Sequence, residues 1–340
     1  MRKILILLIV FRFTVVSFAG DAARRGTSGA DQLLIPVGAR SIATAGAFLA
    51  NTHGVEAIYY NPAGLGSMTG TEAMFDYSKY IADINISYLA VGTNLGDIGA
   101  IALSYKSIGF GDIPVTTYDN PDGTGETYSP SYVTLGLTYS KELTDRVIAG
   151  VTMKAIHEGI QNTTANGWAL DFGVQYNFNK NLSLGVVVAN IGDNMKYAGP
   201  DLQSRTLIPG SALGSGTGVY TPITEEFEIP SYFDLSASYK LTFDENNSLS
   251  LAAAFRNNNN LDDIVRGGAE FDFMNMLYLR AGYNYYTGNQ DNYIYDYALG
   301  AGVYWEMVDG VRIKFDYAFR HVKENALGSS NVFTLTLGLD

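Results

Sequence analysis

From Glu72 onward the sequence repeats one pattern, in which about ten residues alternate between apolar and polar side chains before a break. Residues 311–320 show this pattern most clearly. Their apolar positions are Val311, Ile313, Phe315, Tyr317 and Phe319, and their polar positions are Arg312, Lys314, Asp316 and Arg320. Because successive side chains of a strand point to opposite sides, one face prefers hydrocarbon and the other prefers water. Alternation over about ten residues is typical of a transmembrane β-strand, which crosses the apolar band at a tilt.

The same pattern recurs along the chain and predicts an all-β fold. Residues 168–178 and 295–305 also show an apolar face, and Tyr295 begins the second of these faces. In total we predict fourteen strands, at residues 72–80, 83–93, 97–107, 131–140, 145–157, 166–178, 181–191, 231–241, 247–257, 264–273, 276–287, 294–305, 310–321 and 331–339. The prediction is an antiparallel transmembrane β-barrel of about fourteen strands, whose apolar face meets outer-membrane lipid.

The lengths of the predicted connections support a barrel. The links after even-numbered strands are tight, whereas the links after odd-numbered strands include every long one, among them residues 108–130, 158–165 and 191–230. Bacterial barrels have short periplasmic turns and longer outer loops, so we expect both chain ends on the periplasmic side. A soluble β-sandwich also alternates, but its strands are usually only about six residues long.

Residues 1–19 are predicted to be a signal peptide, which is consistent with a protein of the cell outer membrane. Arg2 and Lys3 precede an apolar run at residues 4–10, and a small-x-small cleavage site follows at residues 17–19. After this leader, no run of eighteen apolar residues predicts a transmembrane helix. The sequence has no cysteine, which excludes disulfides and thiolate metal sites, and its net charge of −12 argues against nucleic-acid binding.

No group of residues predicts catalysis, a cofactor or a metal site. His53, His157 and His321 are far apart in sequence, and no Gly-x-Ser-x-Gly motif occurs. The acidic turn at residues 119–126 offers carboxylate oxygens for calcium, but its spacing fails the EF-hand pattern. We therefore predict that the protein is not an enzyme, and a calcium ion at this turn stays an open alternative.

Residues 20–70 precede the predicted barrel of residues 71–340 and do not alternate. Its runs of small and apolar residues are divided by Gly38, Gly46 and Gly54, so this segment can pack its backbone closely against a wall. It is too short to bury a core of its own. Near its end, Asn61 suits a helix N-cap and Pro62 suits the first helical position.

Four short motifs stand out in this N-terminal segment. They are Gly38-Ala39-Arg40-Ser41, Gly46-Ala47-Phe48, Glu56-Ala57 and Asn61-Pro62-Ala63-Gly64-Leu65. With these motifs the segment resembles the start of the PorV/PorQ family, a branch of the fatty-acid-transporter-like (FadL-like) outer-membrane barrels. The resemblance implies that residues 20–70 form a hatch inside the barrel lumen, with Asn61, Pro62, Ala63 and Gly64 as the hatch motif.

The resemblance implies two alternative functions. PorV/PorQ proteins act in type IX protein secretion as accessory or shuttle barrels, with the type IX translocon and cargo C-terminal domains as partners. For this chain, the outer loops would then receive the cargo. The fatty-acid-transporter-like relatives instead carry long-chain fatty acids or other hydrophobic small molecules past the hatch, which acts as a gate.

The predicted lumen face carries charges of both signs on neighbouring strands. The predicted lumen polar network consists of Asp171, Arg266, Glu270, Asp272, Arg280, Asp296, Arg312, Lys314 and Asp316. We expect these side chains to form ion pairs and hydrogen bonds that fill the barrel and hold the hatch. Because a wholly hydrophobic conduit would not be lined in this way, the sequence favours secretion over hydrophobic transport.

Overall fold

The structure is a computed structural model that describes residues 24, 26–82, 84–207, 210, 212, 216–307, 310–324 and 327–339. The predicted signal peptide lies outside these residues. The wall consists of fourteen strands: β1 (Thr71–Lys79), β2 (Asn85–Asn94), β3 (Ala100–Gly109), β4 (Ser131–Thr144), β5 (Val147–Ile160), β6 (Thr163–Asn177), β7 (Leu182–Gly192), β8 (Tyr232–Thr242), β9 (Asn247–Asn258), β10 (Ile264–Phe273), β11 (Leu277–Tyr286), β12 (Tyr295–Glu306), β13 (Val311–Val322) and β14 (Ser330–Leu339). Their ends differ from the predicted ends by at most four residues.

The fourteen strands form a closed ring. Each strand pairs antiparallel with the next, and β14 pairs with β1 from Thr71 opposite Leu339 to Lys79 opposite Asn331. Closure pairs the backbone of the first strand with that of the last, as a lipid environment requires. The predicted antiparallel barrel is therefore confirmed. Within the described part of the chain, no helix has both the length and the apolar character needed to cross a bilayer.

Two long connections mark one end of the barrel, which we call the long-loop end. Residues 110–130 join β3 to β4, and residues 193–231 join β7 to β8. The predicted long loop at residues 158–165 is wrong, because β5 and β6 continue past their predicted ends and leave a two-residue turn at 161–162. The other end, where β2 joins β3 and β4 joins β5, is the short-turn end.

The alternation separates a lipid face from a lumen face. Phe172 and Phe315, on the predicted lipid face, are 45% and 48% exposed, whereas Asp171 and Asp316 beside them are 1% and 4% exposed. A soluble β-sandwich would bury these two phenylalanines between its sheets. The burial pattern therefore excludes the sandwich and agrees with the barrel.

One position on β12 departs from the predicted alternation. Tyr295 pairs with Val322 but Ala298 pairs with Arg320, so two residues of β12 face one residue of β13. This β-bulge turns Tyr295 into the lumen, where it is only 6% exposed. The prediction that Tyr295 faces lipid is wrong, because a bulge shifts the side-chain period by one residue.

The segment at residues 26–70, which we call the hatch, lies inside the ring. Its regular elements are the 3-10 helices Asp31–Leu34, Gly54–Glu56 and Pro62–Ser67 and the α-helices α1 (Ala39–Ala43) and α2 (Ala57–Tyr60). Val37, Val55 and Leu65 are at most 1% exposed, and they pack in one cluster with wall residues of β1, β2 and β3. The hatch thus shares its apolar core with the wall, as its composition predicts.

The hatch runs through the lumen from one end of the barrel to the other. At the long-loop end, Arg24 donates a hydrogen bond of 3.1 Å to Asn259 Oδ1, in the link between β9 and β10. At the short-turn end, Thr71 follows the hatch and pairs with Leu339. Arg24, the first residue that the structure describes, and Leu339 therefore lie at opposite ends of the barrel. The placement of both chain ends on the periplasmic side stays a prediction.

Candidate functional site

The Asn61 side chain connects the hatch to the wall. It is fully buried, and its Nδ2 donates hydrogen bonds to Leu49 O at 2.9 Å and to Val174 O of β6 at 3.2 Å. Its Oδ1 accepts a hydrogen bond from Ala63 N at 3.2 Å, which is the N-cap expected from the sequence. Ser140 of β4 donates to Ala63 O at 2.8 Å. The motif at residues 61–64 is therefore bonded to two strands of the wall.

Wall glycines allow the hatch backbone to approach this closely. A Cβ atom added at Gly173 would lie 2.1 Å from Asn61 Oδ1, and one added at Gly150 would lie 2.4 Å from the carbonyl carbon of Pro62. Within the hatch, a Cβ at Gly64 would lie 2.0 Å from Thr52 O. Gly64 thus allows close packing within the hatch itself. Gly150 and Gly173 form the wall surface that the hatch packs against, which we call its seat.

A second glycine surface lies on the opposite wall. A Cβ added at Gly268 of β10 would lie 2.7 Å from Thr44 O, and one at Gly282 of β11 would lie 2.3 Å from Ala45 N. The turn at residues 44–46 therefore contacts β10 and β11 through backbone. The hatch is held between two walls that lack side chains at the points of contact.

An ion network joins α1 to three strands. Arg40 donates to both carboxylate oxygens of Glu270, at 2.9 and 3.0 Å, and Arg280 Nε donates to the same carboxylate at 2.6 Å. Arg280 also pairs with Asp316 at 2.6 Å. Burial alone would lower the pKa of Arg40, but the Glu270 carboxylate outweighs this effect and holds that pKa well above its usual value.

Other predicted charges pair in separate groups. Asp171 pairs with Lys154 at 2.5 Å, and Arg266 pairs with Asp234 at 2.6 Å. Near the short-turn end, Arg312 and Lys314 lie 3.8 and 3.7 Å from the Glu72 carboxylate. Asp272 is buried in the wall of a polar pocket that also includes His53, Lys240 and Tyr278.

Asp296 is not brought into the lumen network. The bulge on β12 places it opposite His321, and Asp296 Oδ1 lies 2.7 Å from His321 Nδ1. The His321 ring stacks on Tyr297, with ring centroids 4.5 Å apart. Asp296 therefore belongs to a small group on the outer face, and its predicted lumen position is wrong for the same reason as that of Tyr295.

The charged residues that sequence reasoning did not place among the lumen charges include Arg40, Glu72 and Lys106. Arg40 is part of a hatch motif, but only the structure shows that it meets Glu270. Glu72 shares the inward face of β1 with Asp76, and this parity could have identified it. Lys106 of β3 donates to the hatch carbonyls of Gln32, at 2.7 Å, and Ile35.

Two neighbouring cavities lie between the long-loop end and the hatch. The outer cavity has a volume of about 420 Å³ and is lined by Gly26, Ser28, Asp31, Gln32, Leu34, Ile35, Pro36, Tyr80, Ile84, Ile108, Phe110, Tyr132, Leu261, Tyr295 and Arg320. The inner cavity has a volume of about 180 Å³ and is lined by Leu34, Pro36, Ile42, Ala45, Gly46, Tyr59, Tyr60, Arg256, Asn258, Leu261, Ile264, Arg266, Asn284, Tyr286, Tyr293 and Arg320. Leu34, Pro36, Leu261 and Arg320 line both cavities, so these four residues form the boundary between them.

The hatch separates these cavities from a polar pocket at the short-turn end. That pocket has a volume of about 130 Å³, and its lining includes Arg40, His53, Lys240 and Glu270. On β10, Arg266 lines the inner cavity and Glu270 lines the polar pocket, with Gly268 and the hatch turn between them. Residues 44–48 of the hatch, which contact Gly268, therefore lie between the two compartments along this wall.

Comparison with known proteins shows the fold. No family model matches the chain, and no curated protein matches it in sequence. A FadL homologue from Pseudomonas aeruginosa has 13% identity and a TM-score of 0.57, covering 90% of this chain and 99% of that one. The Ralstonia pickettii toluene transporter TbuX has 13% identity and a TM-score of 0.53, covering 89% and 97%. The CymD monoaromatic hydrocarbon channel has 12% identity and a TM-score of 0.52, also covering 89% and 97%.

The chain therefore has the fold of FadL-like outer-membrane barrels. At these identities, the similarity concerns the fold alone. The similar structures are described as channels and transporters, and none of the three belongs by its description to the PorV/PorQ branch.

Proposed function

We propose that this protein carries hydrophobic small molecules across the outer membrane, from the long-loop end toward the hatch. The observation that carries this proposal is the pair of adjoining cavities that leads from the long-loop end to the hatch. Isoleucine, leucine, phenylalanine and tyrosine side chains make up much of the outer cavity wall. Cavities with apolar walls and a few polar groups are the usual form of small-molecule sites. The three similar structures described above are consistent with this class of ligand.

The distribution of charge removes the main argument against hydrophobic transport. Most charges on β8 to β13 are paired, as in the groups of Asp234 and Glu270. The lumen faces of β1 to β3 also supply apolar residues such as Met74, Ile86 and Ile108, which pack with the hatch. A lumen whose charges are mostly paired and which also offers apolar side chains is compatible with passage of an apolar ligand.

Within this proposal, residues 20–70 form the gate, and residues 61–64 are its fixed part. Asn61 and Ala63 are hydrogen-bonded to the wall, whereas residues 44 and 45 pack against the wall glycines Gly268 and Gly282. The predicted lumen charges outside the bulge hold the hatch in register with the wall. The end of the barrel with short turns would face the periplasm.

Filling the outer cavity tests the proposal. Ile84→Trp places a larger side chain in the wall of this cavity, so we expect toluene and decanoate to bind at least about tenfold more weakly than to the unchanged protein. Binding is measured by calorimetric titration of the purified barrel in detergent. The control is Ile98→Trp, because Ile98 is 64% exposed in a turn at the short-turn end. Absence of saturable binding of either ligand to the unchanged protein would contradict the proposal.

The second candidate function is type IX secretion, which rests on the PorV/PorQ resemblance. One observation favours it: the long loops expose apolar side chains, with Tyr118, Leu207 and Ile223 at 100%, 63% and 88% exposure. A cargo C-terminal domain could dock on such side chains. Co-purification of the barrel with a type IX cargo domain, lost when these three residues are changed to serine, would support it; no retention of the cargo domain would count against it.

A further inference from the structure

The inner cavity has the size of a single aromatic ring. Its volume is about 180 Å³, and an apolar protein cavity of about 150 Å³ is known to bind benzene. Four tyrosines contribute to its wall: Tyr59 and Tyr60 meet edge to face at 5.0 Å, and Tyr286 and Tyr293 stack at 3.7 Å. These rings offer flat surfaces and edges to a flat ligand. The cavity therefore suits one ring better than an extended acyl chain.

The wall of this cavity carries an excess of positive charge. Among the residues that the structure describes, it includes the guanidinium groups of Arg256, Arg266 and Arg320 but no aspartate or glutamate. Arg256 and Arg266 both pair with Asp234, at 2.7 and 2.6 Å, so one carboxylate serves two arginines. This excess occurs in a chain whose overall net charge is −12. An anion is the ligand that would balance it.

Arg320 differs from the other arginines that face the lumen. Among the residues that the structure describes, no carboxylate lies within 4 Å of its guanidinium, whereas Arg40, Arg256, Arg266, Arg280 and Arg312 all have one. Its guanidinium instead lies over the Tyr295 ring, 3.4 Å from the ring centroid. This stacking fixes the plane of the guanidinium and leaves its edge donors available for a planar, bidentate acceptor.

The position of Arg320 would let it distinguish between ligands. It lines both cavities and thus lies at the boundary that a ligand would cross between them. Near it in the outer cavity is Gln32, which is 4% exposed and whose side-chain amide has no hydrogen-bond partner within the described chain. A purely hydrocarbon ligand would leave the Arg320 guanidinium without a charged partner in an apolar site.

We propose that the inner cavity binds a single-ring aromatic carboxylate, with the carboxylate on Arg320 and the ring among the four tyrosines. This inference rests on the proposed transport function and names the ligand class. It differs from the hydrocarbon ligands in the descriptions of the similar structures, because the unpaired guanidinium favours an anionic group.

The experiment compares benzoate, toluene and decanoate by calorimetric titration of the purified full barrel at neutral pH. We expect benzoate to bind more tightly than toluene, by about tenfold or more, because one charge-assisted bidentate pair is added. Arg320→Leu should weaken benzoate binding by about tenfold to a hundredfold and should weaken toluene binding much less, because toluene has no group that pairs with the guanidinium. Arg320→Lys, which keeps the charge without the planar fork, should retain part of the preference. The control is Arg205→Leu, in a loop strand with exposed residues.

Each outcome decides the inference. If benzoate binds no better than toluene, or if Arg320→Leu weakens both ligands equally while the barrel stays folded, the inference is wrong and the transport function stands. If decanoate binds more tightly than benzoate and its binding depends on Arg320, the cavity prefers an aliphatic carboxylate to an aromatic one. That result also overturns the inference. If none of the three ligands binds the unchanged protein, the transport proposal fails with it.

Discussion

Replacing Gly173 with leucine should force the hatch from its seat and open the barrel as a pore. Even the Cβ atom would lie 2.1 Å from Asn61 Oδ1 and 2.8 Å from Pro62 Cδ, and neither group is the flexible end of a long side chain. Asn61 is fully buried and bonded to Leu49 and Val174, so it has no room to move aside. Overpacking in a core typically costs about 1–3 kcal/mol, and a clash with a fixed hatch belongs at or above the top of that range.

Single-channel conductance in planar lipid bilayers measures this effect. The unchanged protein should conduct little, because residues 26–70 fill the lumen, whereas Gly173→Leu should show the steady conductance of an open barrel. The control is Gly267→Leu: nothing lies within 4 Å of a Cβ atom added there, so a larger side chain meets no part of the hatch. A folded Gly173→Leu barrel with the conductance of the unchanged protein would show that the hatch does not close the pore.

Replacing Glu270 with leucine should be strongly destabilising. Glu270 accepts two hydrogen bonds from Arg40 and one from Arg280, and all three residues are buried. Removal of one partner from a buried ion pair typically costs about 3–5 kcal/mol, because the remaining charge has no compensation. Arg280 keeps Asp316 at 2.6 Å, so Arg40 bears most of the loss. Urea unfolding of the barrel in lipid vesicles gives the free energy of unfolding.

Two further variants show whether the cost arises from Arg40. The double variant Arg40→Met with Glu270→Leu removes both charges and should recover much of the stability that Glu270→Leu loses. Glu142→Leu, at an exposed position near the end of β4, should be close to neutral. A Glu270→Leu barrel within about 1 kcal/mol of the unchanged protein would show that water already screens this network.

The sequence predicted the strands well because the signal for a transmembrane strand is local. Each strand must cross a fixed thickness of hydrocarbon, with lipid on one face and the lumen on the other. Its apolar and polar side chains therefore alternate over about ten consecutive residues. Phe172, Asp171, Phe315 and Asp316 all took the faces that their parity predicts. The pattern failed at Tyr295 and Asp296, where one extra residue in β12 reverses the parity.

The candidate site was predicted only in part, because its contacts join distant parts of the chain. The N-cap bond between Asn61 and Ala63 is local and was predicted, whereas Arg40 and Glu270 are 230 residues apart and no local pattern links them. The sequence predicted ion pairs among the lumen charges but could not show which residues pair. The structure gives these pairs and also shows two cavities toward the long-loop end, which favour transport of small molecules over secretion.

By itself, the sequence determined that this chain forms a barrel of about fourteen strands. The residues of each strand show which of its faces meets lipid and which meets the lumen. Only the tertiary structure decided which glycines hold the hatch, which charges pair with one another and which lumen-facing arginine has no carboxylate partner among the described residues. Those properties depend on the register in which the ring closes and on the path of the hatch through it, and both are set by packing between residues far apart in the chain.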